Sequence, residues 1–234
     1  ATIAAFIMEP ILGAGGVIPP HPSFMPGVEA LCRKNGILLI ADEVITAFGR
    51  TGAWTGSRLW GVKPDFACTA KAITNAYFPF GAVMIGEGVA EVFENDTTGR
   101  AAIRHGYTYS GHPVGAAAAL ACLAETQRLN VKDNAAARGA ELFAGLQALQ
   151  AKHEAIGDVR GGYGLMLALE MVADRATKKP ADKAAPATVQ SVAYKAGTMV
   201  RVSGPNIILS PPLVLTSADV QVILSSLDEG FSAL

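Results

Sequence analysis

Apolar and polar residues fall in short blocks along the chain, and near its start the blocks follow a strand–helix–strand order. Residues 3–8 form an apolar run that stops at Glu9-Pro10, where proline lacks a backbone donor and restricts the residue before it. This predicts a short buried strand. Residues 11–22, rich in Gly and Pro, predict a loop. Phe24, Val28 and Leu31 recur at helical spacing within residues 23–34. Arg33 and Lys34 suit the C-terminal end of that helix, and Asn35-Gly36 supplies its cap. The next apolar run, 37–41, ends abruptly in two carboxylates, Asp42 and Glu43. A continuous apolar run predicts a strand buried on both faces, and β–α–β is the repeat unit of a parallel sheet.

Further along, residues 48–64 predict a loop-rich segment. Short strands follow at 65–69 and 81–86, then a helix over 87–94 and a polar loop over 95–112. Pro113 suits a first helical position, opening a helix to about Arg128, and a second covers 132–152 with Leu142, Leu146 and Leu149 on one face. The texture then changes. A strand over 164–171, a charged loop over 174–186, a helix over 187–196 and strands at 198–202 and 206–209 precede a last helix over 217–231. Thr216 is its candidate N-cap, and Val220, Ile223, Leu224, Leu227 and Phe231 form its apolar stripe. The fold class is therefore α/β in residues 1–126, expected as a large domain, with a smaller α+β domain over 127–234.

Composition narrows the function classes. Among 234 residues, half are hydrophobic and 17% charged, with a formal net charge of −1. Nothing in that balance attracts nucleic acid or an anionic membrane. Mean hydropathy is positive (+0.32), yet the longest apolar run, Val114 to Ala124, is only 11 residues, whereas a bilayer needs about 20. Three scattered cysteines and four histidines show no metal-ligand spacing. They predict no metal site and fit a reducing, cytoplasmic setting. The chain opens on Ala1 with a strand-like segment almost at once, so it is expected to start inside a domain.

Two positions stand out chemically. Asp42 lies at the end of a predicted buried strand, where open α/β sheets bind ligands. It could cap a helix, ligate a metal or face a cationic ring. Alternation sends Glu43 to the opposite face, which argues against a shared ion. Lys71 follows the strand at 65–69 directly, among apolar neighbours. If desolvated, it becomes a nucleophile and Schiff-base former; if its ammonium reaches water, it is an ordinary surface lysine.

The run Asp42-Glu-Val-Ile-Thr-Ala-Phe-Gly-Arg-Thr-Gly52, with Pro64-Asp65, Ala70-Lys71, Pro79-Phe-Gly-Ala82, His105-Gly-Tyr-Thr-Tyr-Ser-Gly-His-Pro113 and Pro211-Pro-Leu-Val-Leu-Thr216, resembles the signature of class III aminotransferases. These are pyridoxal-phosphate (PLP) enzymes of fold type I. The resemblance covers nearly the whole chain, in the same order, and includes the 29-position separation of Asp42 and Lys71. It implies the C-terminal half of the usual chain, without the glycine–serine phosphate loop and the ring-stacking aromatic residue of the N-terminal half.

The resemblance also implies roles. Lys71 would form the Schiff base with pyridoxal 5′-phosphate and then shuttle the substrate proton. Asp42 would pair with the pyridinium nitrogen, keeping the ring an electron sink. Val44, on the same strand face as Asp42, would pack against the ring. Thr108 would bind the cofactor phosphate of a partner subunit, making a homodimer with a shared active site. Arg201 would grip the carboxylate of an amino acid or keto acid, a task its planar fork suits. The expected reaction is transamination between an amine or ω-amino acid and pyruvate. The alternatives are an aminomutase or decarboxylating aminotransferase, or an inert fragment that retains the fold and lacks a companion segment.

Overall fold

A computed structural model describes residues 2–234. They form two compact units. The first comprises the chain up to Pro10, Pro20–Phe48 and Thr55–Arg128; the second comprises Ile11–Pro19, Gly49–Trp54 and Leu129–Leu234.

The first unit is built on a four-stranded sheet, ordered β1 (Ala5–Met8), β2 (Leu38–Asp42), β3 (Phe66–Thr69) and β4 (Ala82–Ile85). The first three strands run parallel and β4 antiparallel to β3. Helix α1 (Phe24–Asn35) makes the β1–β2 crossover and ends on Gly36 in the left-handed conformation (φ 65°), which glycine adopts without a side-chain penalty. It buries Met25 and Cys32 against Leu39 and Val62, with the half-buried Val28 packed beside them. Phe24 and Leu31, expected inside, are exposed. Positions 24/25 and 31/32 are apolar in both members, so the periodicity fits two phases, and packing against Leu39 selects one. At the end of α1, Arg33 donates to both oxygens of Asp65 at 2.7 Å, which raises the guanidinium pKa. Asp65 in turn accepts the Leu39 N–H at 2.7 Å, tying β2 to the start of β3.

Strand β1 departs from expectation. Its apolar run predicts burial, yet Phe6 is 41% and Ile7 60% exposed. Successive residues point to opposite faces, so both faces of this edge strand are uncovered. Helices α2 (Gly56–Leu59), α3 (Glu87–Glu94) and α4 (Pro113–Arg128) complete the unit, with a 3₁₀ turn at Lys71–Ile73. Neither the turn nor α2 is long enough to show a helical period.

In the second unit, α5 (Val131–Lys152) leads into an antiparallel sheet. Its order is β5 (Ile156–Tyr163), β6 (Met166–Asp174), β9 (Asn206–Leu209) and β8 (Arg201–Ser203), with β7 (Lys179–Pro180) paired to β6. Helices α6 (Ala184–Lys195) and α7 (Ser217–Ser232) bury Val189, Ala193, Val220, Leu227 and Phe231 in one core with Leu142, Leu146, Leu167 and Leu169. Thr216 caps α7 as expected. Its hydroxyl accepts the Asp219 N–H, and the Asp219 carboxylate accepts the Thr216 N–H at 2.9 Å. The tract 174–186, expected as solvated loop, instead holds β7 and the first turn of α6, and β5 was not foreseen. Among the described residues no helix is long and apolar enough to cross a membrane.

Candidate active site

Asp42 and Lys71 follow two neighbouring strands of the sheet. Asp42 is the last residue of β2 and is in register with Cys68 of the neighbouring parallel strand β3. Lys71 opens the 3₁₀ turn two residues after β3 ends. Both therefore emerge at the carboxyl end of the parallel part of the sheet, where such sheets bind ligands. The half-buried Asp42 carboxylate is aimed by a short return contact, in which Oδ1 accepts the Val44 N–H at 3.1 Å. Among the described residues this is its one hydrogen bond. Its other oxygen is thus left to accept a donor from a ligand, and a protonated pyridine nitrogen is such a donor. That geometry fits the ring of pyridoxal 5′-phosphate.

Lys71 is exposed, and among the described residues its ammonium makes no ion pair or hydrogen bond, while its backbone carbonyl accepts the Thr74 N–H at 3.3 Å. Activation by burial, the argument that drew attention to this lysine, is not present in this chain. Its backbone is unusual: φ is +47°, and Asn75 and Ala76 share the left-handed region at 48° and 64°. Each non-glycine residue held there costs about 1–2 kcal/mol, and such conformations cluster at functional sites.

Val44 needs a correction. The strand ends at Asp42, and Val44 lies in the turn that follows. It contributes a backbone N–H to Asp42, and alternation along a strand does not set its side-chain direction. Thr108 lies in an exposed turn closed by the Ser110 N–H to Tyr107 O bond at 3.1 Å. That turn leads to α4 through His112, whose ring lies 5.2 Å from Phe78. Phe78, Pro79, Phe80, Tyr109 and His112 line an open, mainly apolar cavity of about 340 Å³. Arg201 belongs to the second unit, as the exposed first residue of β8, in register with Ile208.

Three features near these residues escaped the sequence reading. Cys68 borders Asp42, and burial together with that carboxylate pushes its thiol pKa up. Glu43 is fully buried. Its Oε2 accepts from the Thr46 hydroxyl (2.5 Å) and Gly56 N–H (2.7 Å), and its Oε1 from Ser57 N–H (2.8 Å) and Ser57 Oγ (2.6 Å). Alternation gave its direction but not these partners, which are three, 13 and 14 residues on. Finally, the Gly49–Gly52 segment packs within the second unit. The Arg50 guanidinium donates to Leu165 O (3.1 Å) and Pro211 O (2.6 Å), and burial pulls its pKa down to about 10.

The family model of class-III aminotransferases matches residues 1–231. The chain belongs to the class III aminotransferases. Gamma-aminobutyrate transaminase 1 (mitochondrial) of Oryza sativa is 39% identical over 99% of the chain and 45% of its own length. The diaminobutyrate–2-oxoglutarate transaminase of Halomonas elongata is 42% identical over 96% and 48%. Among solved structures, a PLP-bound amine transaminase from an uncultivated Pseudomonas species superposes with a TM-score of 0.94 at 46% identity, covering 99% of this chain and 52% of that one. An (S)-enantioselective ω-transaminase from Thermomicrobium roseum gives 0.91 at 40% identity, covering 99% and 51%. The aminotransferase chain thus spans about half the length of the curated relatives it matches. Its fold is that of PLP-dependent transferases of fold type I, and pyridoxal 5′-phosphate is its cofactor.

Proposed function

We propose that the protein transfers an amino group from an amine or ω-amino acid to a keto acid, with pyruvate as the acceptor, in a homodimer whose subunits share active sites. The observation that carries this reading is the placement of Asp42 at the carboxyl end of β2 and of Lys71 just past the carboxyl end of the adjacent parallel strand β3, with one Asp42 oxygen fixed by the Val44 N–H. The relatives named as gamma-aminobutyrate, diaminobutyrate and amine transaminases support an ω-amine donor.

When bound, the cofactor supplies an electron sink for the carbanion left as the substrate loses a proton. Asp42 holds a proton on the ring nitrogen, because a carboxylate within hydrogen-bond reach favours the protonated form. Val44, in the turn after β2, would pack beside the ring as the family resemblance implies. Lys71 would supply the amine that secures the cofactor and would carry the proton at the substrate carbon. Thr108 donates its hydroxyl to the phosphate held by the partner subunit. Arg201 grips the substrate carboxylate. The domain assignment proposed with this function is a cofactor-binding part over 1–126 and a smaller part over 127–234.

In the full-length protein, borohydride reduction in the presence of pyridoxal phosphate, followed by peptide mapping, is expected to label Lys71. A label on another lysine overturns the assignment. A second reading, in which the 234-residue chain alone keeps its fold but turns nothing over, draws support from the exposure of Lys71 and of both faces of β1. The same reduction on the isolated chain separates the two, since the second reading expects no specific label.

A further inference from the structure

Glu43 stands next to Asp42 in the chain, yet it is 0% exposed and cannot reach a substrate. Both its oxygens are filled, with two donors on each. Capping of α2 accounts for the Gly56 and Ser57 N–H groups, because a helix start leaves backbone donors without partners. It does not account for the rest. The Thr46 hydroxyl bond and the Ala47 N–H to Glu43 O bond (3.0 Å) close the turn on the Asp42 side. The Glu43 N–H donates to Cys68 O at 2.9 Å and extends the β2–β3 ladder by one bond past Asp42. Gly56 permits the approach, since a Cβ there would lie 2.7 Å from Pro10 Cβ and 2.8 Å from Thr46 Cβ. Backbone and side chain of Glu43 thus clamp the turn from which the Val44 N–H reaches back to Asp42 Oδ1.

We propose that Glu43 is a positioning residue for Asp42: its buried carboxylate locks the turn after β2 and so fixes the direction in which Asp42 presents its free oxygen. This rests on the reading of Asp42 as the partner of the pyridine nitrogen. A carboxylate held by one backbone N–H keeps a torsional freedom that a loose turn would release. A ring nitrogen needs its acceptor within hydrogen-bond reach, so the clamp is felt as cofactor affinity.

The test is a double-mutant cycle in the full-length protein, read as the dissociation constant of pyridoxal phosphate from fluorescence titration of the apo-protein. Glu43→Gln keeps the volume but turns one acceptor into a donor pair facing the Thr46 hydroxyl and Gly56 N–H, or the Ser57 donors. Asp42→Asn is expected to weaken binding by about tenfold or more, the usual loss for a hydrogen bond to a charged group. Glu43→Gln is expected to weaken it by about tenfold alone and less than about twofold on top of Asp42→Asn, because a residue acting through another has no separate effect once that other is gone. Equal factors in both backgrounds make Glu43 merely structural and overturn the proposal. Wild-type affinity in Asp42→Asn overturns the reading of Asp42 itself, and the two failures are thereby distinguished. If Glu43→Gln does not fold, Ser57→Ala, which removes only the 2.6 Å hydroxyl donor, runs through the same cycle with the same criteria.

Discussion

Asp42 and Glu43 carry the same functional group one position apart, and their surroundings separate them completely. One has a single backbone donor and a free oxygen; the other has four donors and no exposure. The apolar run ending in carboxylates made this stretch legible as a strand end, the place where a ligand-facing group is expected. The division of labour was not legible, because Glu43's partners at 56 and 57 become neighbours only through the fold. Lys71 stands out in the sequence by its place after a strand and by its motif, and in the structure its side chain is exposed rather than buried. Arg201 carries the substrate prediction at this scale. Arg201→Ala in the full-length enzyme is expected to lower kcat/KM for pyruvate about tenfold or more, the loss expected for a charged hydrogen-bonded pair. An uncharged aldehyde acceptor should be little affected. Parallel kinetics with both acceptors check this, and equal losses would sink the carboxylate role.

Among elements, legibility followed periodicity. Helices α5 and α7 and the capping box at Thr216 read directly from their apolar stripes and flanking polar residues. Strand β5 did not, and its glycines explain why. A Cβ at Gly157 would meet Val172 at 2.5 Å and one at Gly161 would meet Phe143 at 2.9 Å. Glycine is required there by side chains from β6 and α5, and the resulting composition hides the strand. The same logic yields a prediction with competing signs. Gly139 lies inside α5, where alanine would favour the helix by about 0.8–1.0 kcal/mol. A Cβ at that position, however, would lie 2.0 Å from the Gly164 carbonyl oxygen. Because a backbone atom cannot swing away, overpacking of about 1–3 kcal/mol or more wins. Gly139→Ala should therefore lower the melting temperature. A rise would mean that the β5–β6 turn yields freely.

For the molecule as a whole, mean hydropathy is positive although no apolar run is long enough for a membrane-spanning helix. In the structure a good part of that apolar character lies on the surface of the first unit: Ile3, Phe6, Ile7, Val83, Met84 and Ile85 are each more than 40% exposed. They lie on or beside the two edge strands of one sheet, and an exposed apolar edge strand is a template for aggregation. Sequence could not reveal this, since a strand buried on both faces and one bare on both faces read alike. Ile7 is the most informative position. Because Ile7 is 60% exposed, Ile7→Lys removes apolar surface and adds an edge charge at a stability change within about 0.5 kcal/mol. Light scattering of the 234-residue chain should then fall with the melting temperature unchanged. Were Ile7 covered instead, a lysine there would cost at least the 2–5 kcal/mol or so typical of emptying a buried isoleucine site. The melting temperature would drop sharply, and the exposed edge would have to be abandoned.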